Sequence, residues 1–291
     1  MKLLLKPFMW LFSVIITLVV VFGAGILIIN AKYNINTFDV IKSLDKLSAQ
    51  VDVAIIAPNA ISNDDYADTK NVVNLSVADL ILYDSDTETY SINTSISSTM
   101  SSDIKLSGKQ VCVLLNLMLN SNEDGIKANI GGSDVDLKDY DFKVVQVDFS
   151  ELDENFVNFN VVMSVSLEKL KAKMNGFPLN IFKSKVPNTL YISSTLKIEK
   201  KTGEFNYETT HVSLALNNMT GKEVENLFKL INIVVKIGEI SDFNQTLGSS
   251  FVNALIGNSE QSGFAYSLTS AGATDFAFEN DSETIKFVIK K

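Results

Sequence analysis

A charge-free apolar run near the start of the chain, from Phe8 to Ile29, constrains the rest of the sequence most strongly. It is 22 residues long, and a helix needs about 20 apolar residues to cross a bilayer. Lys2 and Lys6 precede the run, whereas only Lys32 follows it closely. The positive-inside bias therefore predicts a cytoplasmic N-terminus and an extracytoplasmic remainder.

A cleaved signal peptide and a buried soluble helix are the two alternatives to an uncleaved anchor. The apolar core of a signal peptide is about 7–15 residues long and ends in a small-residue cleavage site. Here the small residues at 23–25 lie inside the run, and more apolar residues follow them. We therefore favour an uncleaved signal anchor in a single-pass cell-membrane protein, with Phe8, Trp10 and Ile29 in the membrane-spanning segment.

The charge of the exported part disfavours polyanionic partners. The formal net charge of the chain is −9, and it becomes −11 without Lys2 and Lys6. All 25 basic residues are Lys, so the arginine fork that binds phosphate in bidentate fashion is absent. An acidic domain is repelled by nucleic acid, and we predict no nucleic-acid partner.

The pattern of apolar and polar residues divides the chain into three parts. Residues 1–30 are the cytoplasmic tip and the anchor, and residues 31–50 form a membrane-proximal helix or linker. From residue 51 the pattern becomes that of strands, and no linker interrupts it. Residues 51–291 are therefore predicted to form one extracytoplasmic domain.

Long two-faced strands dominate this domain. Alternation predicts a strand from Val157 to Leu167 and another from Thr189 to Lys200. A turn at 201–203 then leads to a return strand at 205–216, with a bulge or bend near Thr209–His211. Strands of twelve residues span about 40 Å, and sheets of such strands are expected to twist and curve strongly. The apolar face of the first strand carries Val157, Phe159, Val161, Met163, Val165 and Leu167.

Helix starts follow several of these strands. Ser107–Gln110 and Thr220–Glu223 both fit the capping box, and a further helix is predicted from Asp242 to Ile256. The predicted fold class is α+β. It consists of an N-terminal transmembrane helix followed by a long, strongly curved, mainly antiparallel sheet packed on a few capped helices.

The two capping boxes belong to similar segments, Leu106–Val111 and Met219–Val224. Each follows a strand, a turn and a second strand, which suggests two related lobes at about 78–118 and 190–235. Two alternatives explain the similarity. One is a decayed internal duplication, and the other is that junctions between a strand and a helix generally favour residues of this kind.

Residue patterns typical of catalysis are missing from the chain. His211 is the only histidine, which excludes a His-based metal cluster, and the Gly-Lys pairs lack the rest of a phosphate-binding loop. Cys112 lies in an apolar stretch and fits a buried small hydrophobe. Acidic clusters such as 84–88 fit solvated loops, with weak calcium binding as the alternative. We predict no catalytic residues, no cofactor site and no metal site.

The anchor, the long two-faced strands and the capped helices together resemble bacterial exported proteins of the tubular lipid-binding (TULIP-like) type. The resemblance is carried by Ser107–Leu119, Phe156–Leu170 and Val186–Leu230, including the strand that starts after Pro187. It implies a curved sheet wrapped around a helix, an apolar groove, and no catalytic residues.

The expected function is therefore that of a membrane-anchored extracytoplasmic protein that binds or shields an apolar ligand in the cell envelope. A lipid is the expected ligand class, and the apolar face of the strand at Val157–Leu167 is the expected contact surface. The main alternative is a non-catalytic structural or interaction module with a closed core and envelope protein partners. A cell-wall-acting enzyme is the third possibility.

Overall fold

The structure is a computed structural model in which the described residues form helices on antiparallel sheets. The described residues are 42, 45–121, 127–130, 133–136, 140–153, 156–173, 183–234, 239–282 and 284–291. The predicted anchor, residues 1–30, lies outside these ranges. Within them, no helix is both long enough and apolar enough to cross a membrane.

Seven α-helices have both ends within the described residues, and residues 45–48 are helical as well. The seven are α1 (Val53–Ile56), α2 (Asn63–Ser76), α3 (Gly108–Asn120), α4 (Glu168–Lys173), α5 (Lys222–Val234), α6 (Ile240–Leu255) and α7 (Phe264–Ser267). Short 3-10 helices cover Lys183–Lys185 and Leu268–Ala271.

The strands occur in consecutive runs of two to four, between these helices or after the last of them. They are β1 (Ile81–Asp84), β2 (Thr89–Ile92), β3 (Ile104–Leu106), β4 (Lys127–Ile130), β5 (Ser133–Asp136), β6 (Lys143–Ser150), β7 (Phe156–Ser166), β8 (Thr189–Lys200), β9 (Tyr207–Leu216), β10 (Met219–Thr220), β11 (Asp275–Asp281) and β12 (Thr284–Lys290).

The strands form four separate antiparallel sheets rather than one. The largest has five strands in the order β10-β9-β8-β7-β6, and a second has the order β11-β12-β3. β1 with β2 and β4 with β5 form two-stranded sheets. The predicted α+β class with mainly antiparallel sheets is thus confirmed.

The predicted strong curvature is wrong, because the sheets are not strongly curled. Curl accumulates from strand to strand along one ladder, and the main ladder stops at β6 after five strands. There the amide of Asn116 on α3 takes the place of a next strand, accepting from Val144 N at 3.0 Å and donating to Val144 O at 2.7 Å. The backbone N–H of Ile61 donates to Val145 O at 3.1 Å. Side-chain and loop contacts therefore end the sheet before it can close.

The long predicted strands are confirmed. β8 has the predicted bounds, and β7 begins and ends one residue earlier than predicted. The turn between β8 and β9 contains Gly203 at φ 113°. The β8–β9 register shifts where Leu196 pairs with His211 while Thr195 pairs with Ser213, so Val212 is the extra residue. The predicted bulge exists, one residue beyond the predicted stretch.

The two similar helix starts use glycine for different physical reasons. At α3 the capping box of Ser107 and Gln110 is present, and a Cβ on Gly108 would lie 2.1 Å from Val147 O of β6. At α5 Gly221 has φ +51° and open space around it. The first glycine permits a close approach of backbones and the second a left-handed turn. The relation between the two lobes stays a prediction.

Helix α3 lies at the centre of the core. All its residues from Val111 to Leu119 are buried, and all of them except Asn116 are apolar, as expected of a helix surrounded by other elements. Cys112 is fully buried there, which confirms its predicted role, and burial raises the pKa of its thiol above the ordinary value.

Candidate functional site

The apolar face predicted to contact a ligand lies in the hydrophobic core. Its six side chains are only 0–2% exposed: Val157, Phe159, Val161, Met163, Val165 and Leu167. The ring of Phe159 lies 5.8 Å from that of Phe149 on β6, centroid to centroid. None of the six lines the cavity described below, and their contact with a ligand stays a prediction.

A cavity of about 430 Å³ lies between the β1–β2 hairpin, the C-terminal ends of α3 and α6, and the segment around α7. Most of its surface is formed by apolar atoms. Its walls come from segments far apart in sequence: Leu80, residues 92–96, Met118 and Ser121, then Ser250, Asn253 and Ala254, then residues 261–264 with Ser267 and Ser270.

A row of polar contacts positions α6, which supplies one wall of this cavity. Gln245, Ser249 and Asn253 recur at four-residue spacing and therefore share one face. Asn244 lies beside the first of them, and this face lies on β9. The contacts are Asn244 Nδ2 to His211 Nδ1 at 2.6 Å, Gln245 Nε2 to Thr209 O at 2.7 Å, Ser249 Oγ to Thr209 Oγ1 at 2.8 Å, and Tyr207 Oη to Asn253 Oδ1 at 2.7 Å. These bonds fix the rotation of α6, and with it the side chains that reach the cavity.

The single histidine belongs to this row of contacts. Asn244 Nδ2 also donates to Thr195 O at 3.1 Å and to Ser213 O at 2.9 Å, so it acts as the donor and His211 Nδ1 as the acceptor. Burial lowers the pKa of His211 below its ordinary value, which favours the neutral ring that can accept this bond. The geometry gives His211 a structural role.

Two glycines close the base of the loop that follows α6. Gly257 has φ +74°, and a Cβ on Gly263 would lie 2.3 Å from Asn253 O and 2.4 Å from Gly257 N. Asn258 N donates to Gln261 O at 2.7 Å and closes the turn between them. Because only glycine allows backbones to approach this closely, the pair holds the loop against the cavity.

Four of the six serines that line the cavity have hydroxyls that are already hydrogen-bonded within the protein. Four hydroxyls bond to nearby backbone carbonyls: Ser121 Oγ to Met118 O (2.9 Å), Ser250 Oγ to Thr246 O (2.8 Å), Ser267 Oγ to Phe264 O (2.6 Å) and Ser270 Oγ to Ser267 O (3.1 Å). This back-bonding satisfies the hydroxyl protons within the protein. The cavity is consequently suited to an apolar ligand.

Ionisable side chains are missing from the cavity wall. Of the described residues that line it, none is Asp, Glu, Lys or His. A charged ligand would lose its hydration there without gaining a counter-charge, which is strongly unfavourable. Nor does any group of three or more His, Cys, Asp or Glu among the described residues have the arrangement to hold a metal ion.

Tyr207 orients the amide of Asn253 at the edge of the cavity. Burial raises the pKa of Tyr207 to about 12, so its hydroxyl keeps the proton that it donates to Asn253 Oδ1. The backbone of Gly257 beside the Tyr207 oxygen offsets part of this rise in the pKa. Because Asn253 Oδ1 accepts from Tyr207, the Nδ2 group of Asn253 is the part of the side chain that can donate hydrogen bonds to a ligand.

Sequence reasoning missed this cavity. The helix of α6 was predicted well, at Asp242–Ile256 against the observed Ile240–Leu255, but the glycine that follows it was not interpreted. A second glycine at 263, just beyond a short polar stretch, was the available signal of a closed loop. The other walls become neighbours only through tertiary contacts.

No protein-family model matches the chain, and no curated protein or solved structure matches it either.

Proposed function

We propose that this protein is a single-pass, membrane-anchored extracytoplasmic protein that binds or shields an apolar ligand, a lipid, in the cell envelope. The observation that carries the ligand proposal is the cavity of about 430 Å³, whose described lining contains no ionisable side chain. The anchor proposal rests on the charge-free run from Phe8 to Ile29 and the lysines before it.

The size of the cavity is consistent with small-molecule binding. Ligand sites usually have volumes of about 300–1,000 Å³ and are mostly apolar with a few polar groups. The cavity therefore suits one hydrocarbon chain or part of a larger lipid, and the proposal contains no catalytic step.

A closed-core interaction module is the second candidate, because the predicted ligand face is packed. The side chains of that face, from Val157 to Leu167, are at most 2% exposed. A module of this kind would present its surface to envelope proteins and leave the cavity empty. Ligand occupancy of the cavity distinguishes the two candidates.

Filling the cavity tests ligand binding directly. Ala254 lines the cavity and is 8% exposed, so Ala254→Phe places a ring in the ligand volume. The full chain in proteoliposomes is irradiated with an uncharged diazirine-bearing alkyl probe, and labelled peptides are identified by mass spectrometry. We expect labelling of the cavity-lining peptides in the wild type and at least a tenfold loss in Ala254→Phe.

The matched control is Thr246→Phe, which adds the same ring at an exposed position on the same helix. It should retain wild-type labelling of the cavity peptides. Absence of labelling in the wild type, or equal labelling in Ala254→Phe and the wild type, would rule out the cavity as the binding site.

The membrane topology is tested separately. Because Lys2 and Lys6 flank a charge-free span, protease added to intact cells that express the full chain should digest it beyond Lys32. An epitope at the N-terminus should survive until the membrane is permeabilised. Protection of residues 51–291 together with loss of the N-terminal epitope would contradict the proposed topology.

A further inference from the structure

We propose that the cavity selects an uncharged amphiphile and that Asn253 recognises its polar end. Asn253 Nδ2 would donate a hydrogen bond to an ester, ether or hydroxyl oxygen of a ligand whose hydrocarbon part fills the cavity. This inference rests on the proposed function, because it assigns the ligand class of the same cavity.

The first argument is the fixed orientation of the Asn253 amide. The hydroxyl of Tyr207 donates to Asn253 Oδ1 at 2.7 Å. The tyrosine proton is therefore directed to Oδ1, and rotation of the amide by 180° would bring two donors together. The donors of Nδ2 are thus held in place before a ligand arrives, which lowers the entropic cost of binding.

The second argument is the contrast between Asn253 and its surroundings. Leu80, Ile92, Met118 and Phe264 supply apolar surface to the cavity, and four of its six serine hydroxyls bond to backbone carbonyls. The lining also contains Asn93, Thr94, Ser95, Gln261 and Ser262, but the amide of Asn253 is the one oriented by a tyrosine hydroxyl among the described lining residues. A pocket of apolar walls with a few oriented polar groups fixes the direction in which a ligand binds. The apolar walls would contact the hydrocarbon part of the ligand, and Asn253 would donate a hydrogen bond to its acceptor oxygen.

The third argument excludes an ionised headgroup. The lining residues that the structure describes include no Lys, and the chain carries a formal net charge of −9. A carboxylate or phosphate would therefore be desolvated without a cation to pair with, in a domain whose field repels it. A neutral oxygen acceptor has no such penalty.

Tyr207 acts as a positioning residue in this arrangement. It lies on β9, outside the lining of the cavity, and contacts both Asn253 and the base of the loop at Gly257. Its removal should weaken recognition of the ligand oxygen, while the contacts of Asn244, Gln245 and Ser249 with β9 hold α6 and the hydrocarbon contacts in place.

The test compares three diazirine probes of equal chain length on the full chain in proteoliposomes: an alkane, a monoacylglycerol and a fatty-acid carboxylate. Labelling of the cavity peptides is measured at equal membrane concentrations of probe. In the wild type we expect the monoacylglycerol to label about fivefold more than the alkane, the factor that corresponds to about 1 kcal/mol for one hydrogen bond.

Asn253→Leu is expected to reduce this ratio to about one while alkane labelling stays at the wild-type level. Tyr207→Phe should lower the ratio without lowering alkane labelling, a result that a merely structural role would not produce. Asn253→Leu leaves the Tyr207 hydroxyl without its partner and could therefore fail to fold. In that case the double variant Tyr207→Phe/Asn253→Leu removes both groups together, a change that is often close to neutral in stability.

A ratio that is the same in the wild type and in Asn253→Leu would overturn the role of Asn253 and leave the proposed function intact. Preferential labelling by the carboxylate would overturn the uncharged ligand class. Absence of cavity labelling by all three probes would instead overturn the proposed function itself.

Discussion

Replacement of Phe159 by alanine is expected to lower the free energy of unfolding by about 3–5 kcal/mol, the usual cost of truncating a buried aromatic ring. Phe159 is 0% exposed and lies on β7, between β6 and β8 in the main sheet. Its ring contacts that of Phe149, so truncation leaves a void that neighbouring strands cannot fill. A urea melt of the full chain in detergent, followed by circular dichroism, measures the loss.

The matched control is Asn158→Ala, on the same strand but on its opposite, half-buried face. Asn158 Nδ2 donates to Glu151 Oε2 at an exposed site, so its loss should cost less than about 1 kcal/mol. A cost below about 1.5 kcal/mol for Phe159→Ala would mean that this face is not tightly packed. That result would favour the predicted ligand-contact role of the face.

Substitution of Gly263 by alanine is expected to destabilise the protein by about 3 kcal/mol, the upper end of the usual range for overpacking. The added Cβ would lie 2.3 Å from Asn253 O and 2.4 Å from Gly257 N. Both are backbone atoms, so no side-chain rotation can relieve the contact. Because the loop must move away from α6, the cavity loses a wall and probe labelling should fall with stability.

Gly221→Ala is the control for Gly263→Ala. Gly221 has φ +51° and no atom within 4 Å of an added Cβ, so alanine there meets only the conformational cost of about 1–2 kcal/mol. Probe labelling of the cavity should be unchanged. Equal effects of the two substitutions on stability and labelling would show that the close backbone approach at Gly263 is not needed for the cavity.

Local elements were predictable because their signals are local. The alternation at Thr189–Lys200 predicted β8 at its observed bounds, and the box at Ser107–Gln110 predicted the start of α3. A period of two or a capping hydroxyl depends on neighbours a few residues away. The bulge near His211 was visible for the same reason, as a change of apolar phase along one strand.

The shape of the sheet was not predictable in this way. Strand length suggested a strongly curved sheet, but the ladder ends at β6, where Asn116 bonds to Val144. That contact joins residues 28 positions apart, and nothing in the sequence around Asn116 distinguishes it from other asparagines on helices. Such edge contacts decide where a sheet ends and therefore how far it can curve, and a single sequence does not reveal them.

The sequence by itself determined the apolar run at Phe8–Ile29, the acidic and arginine-free composition, the α+β pattern and the long amphipathic strands. Only the tertiary structure decided that the face around Phe159 is core and that a cavity exists beside α6. The physical reason is that burial and cavities arise from contacts between distant segments. The wall residues at 80–96, 118–121 and 250–270 meet because α3 and α6 pack in one core, and their local sequences do not encode that meeting.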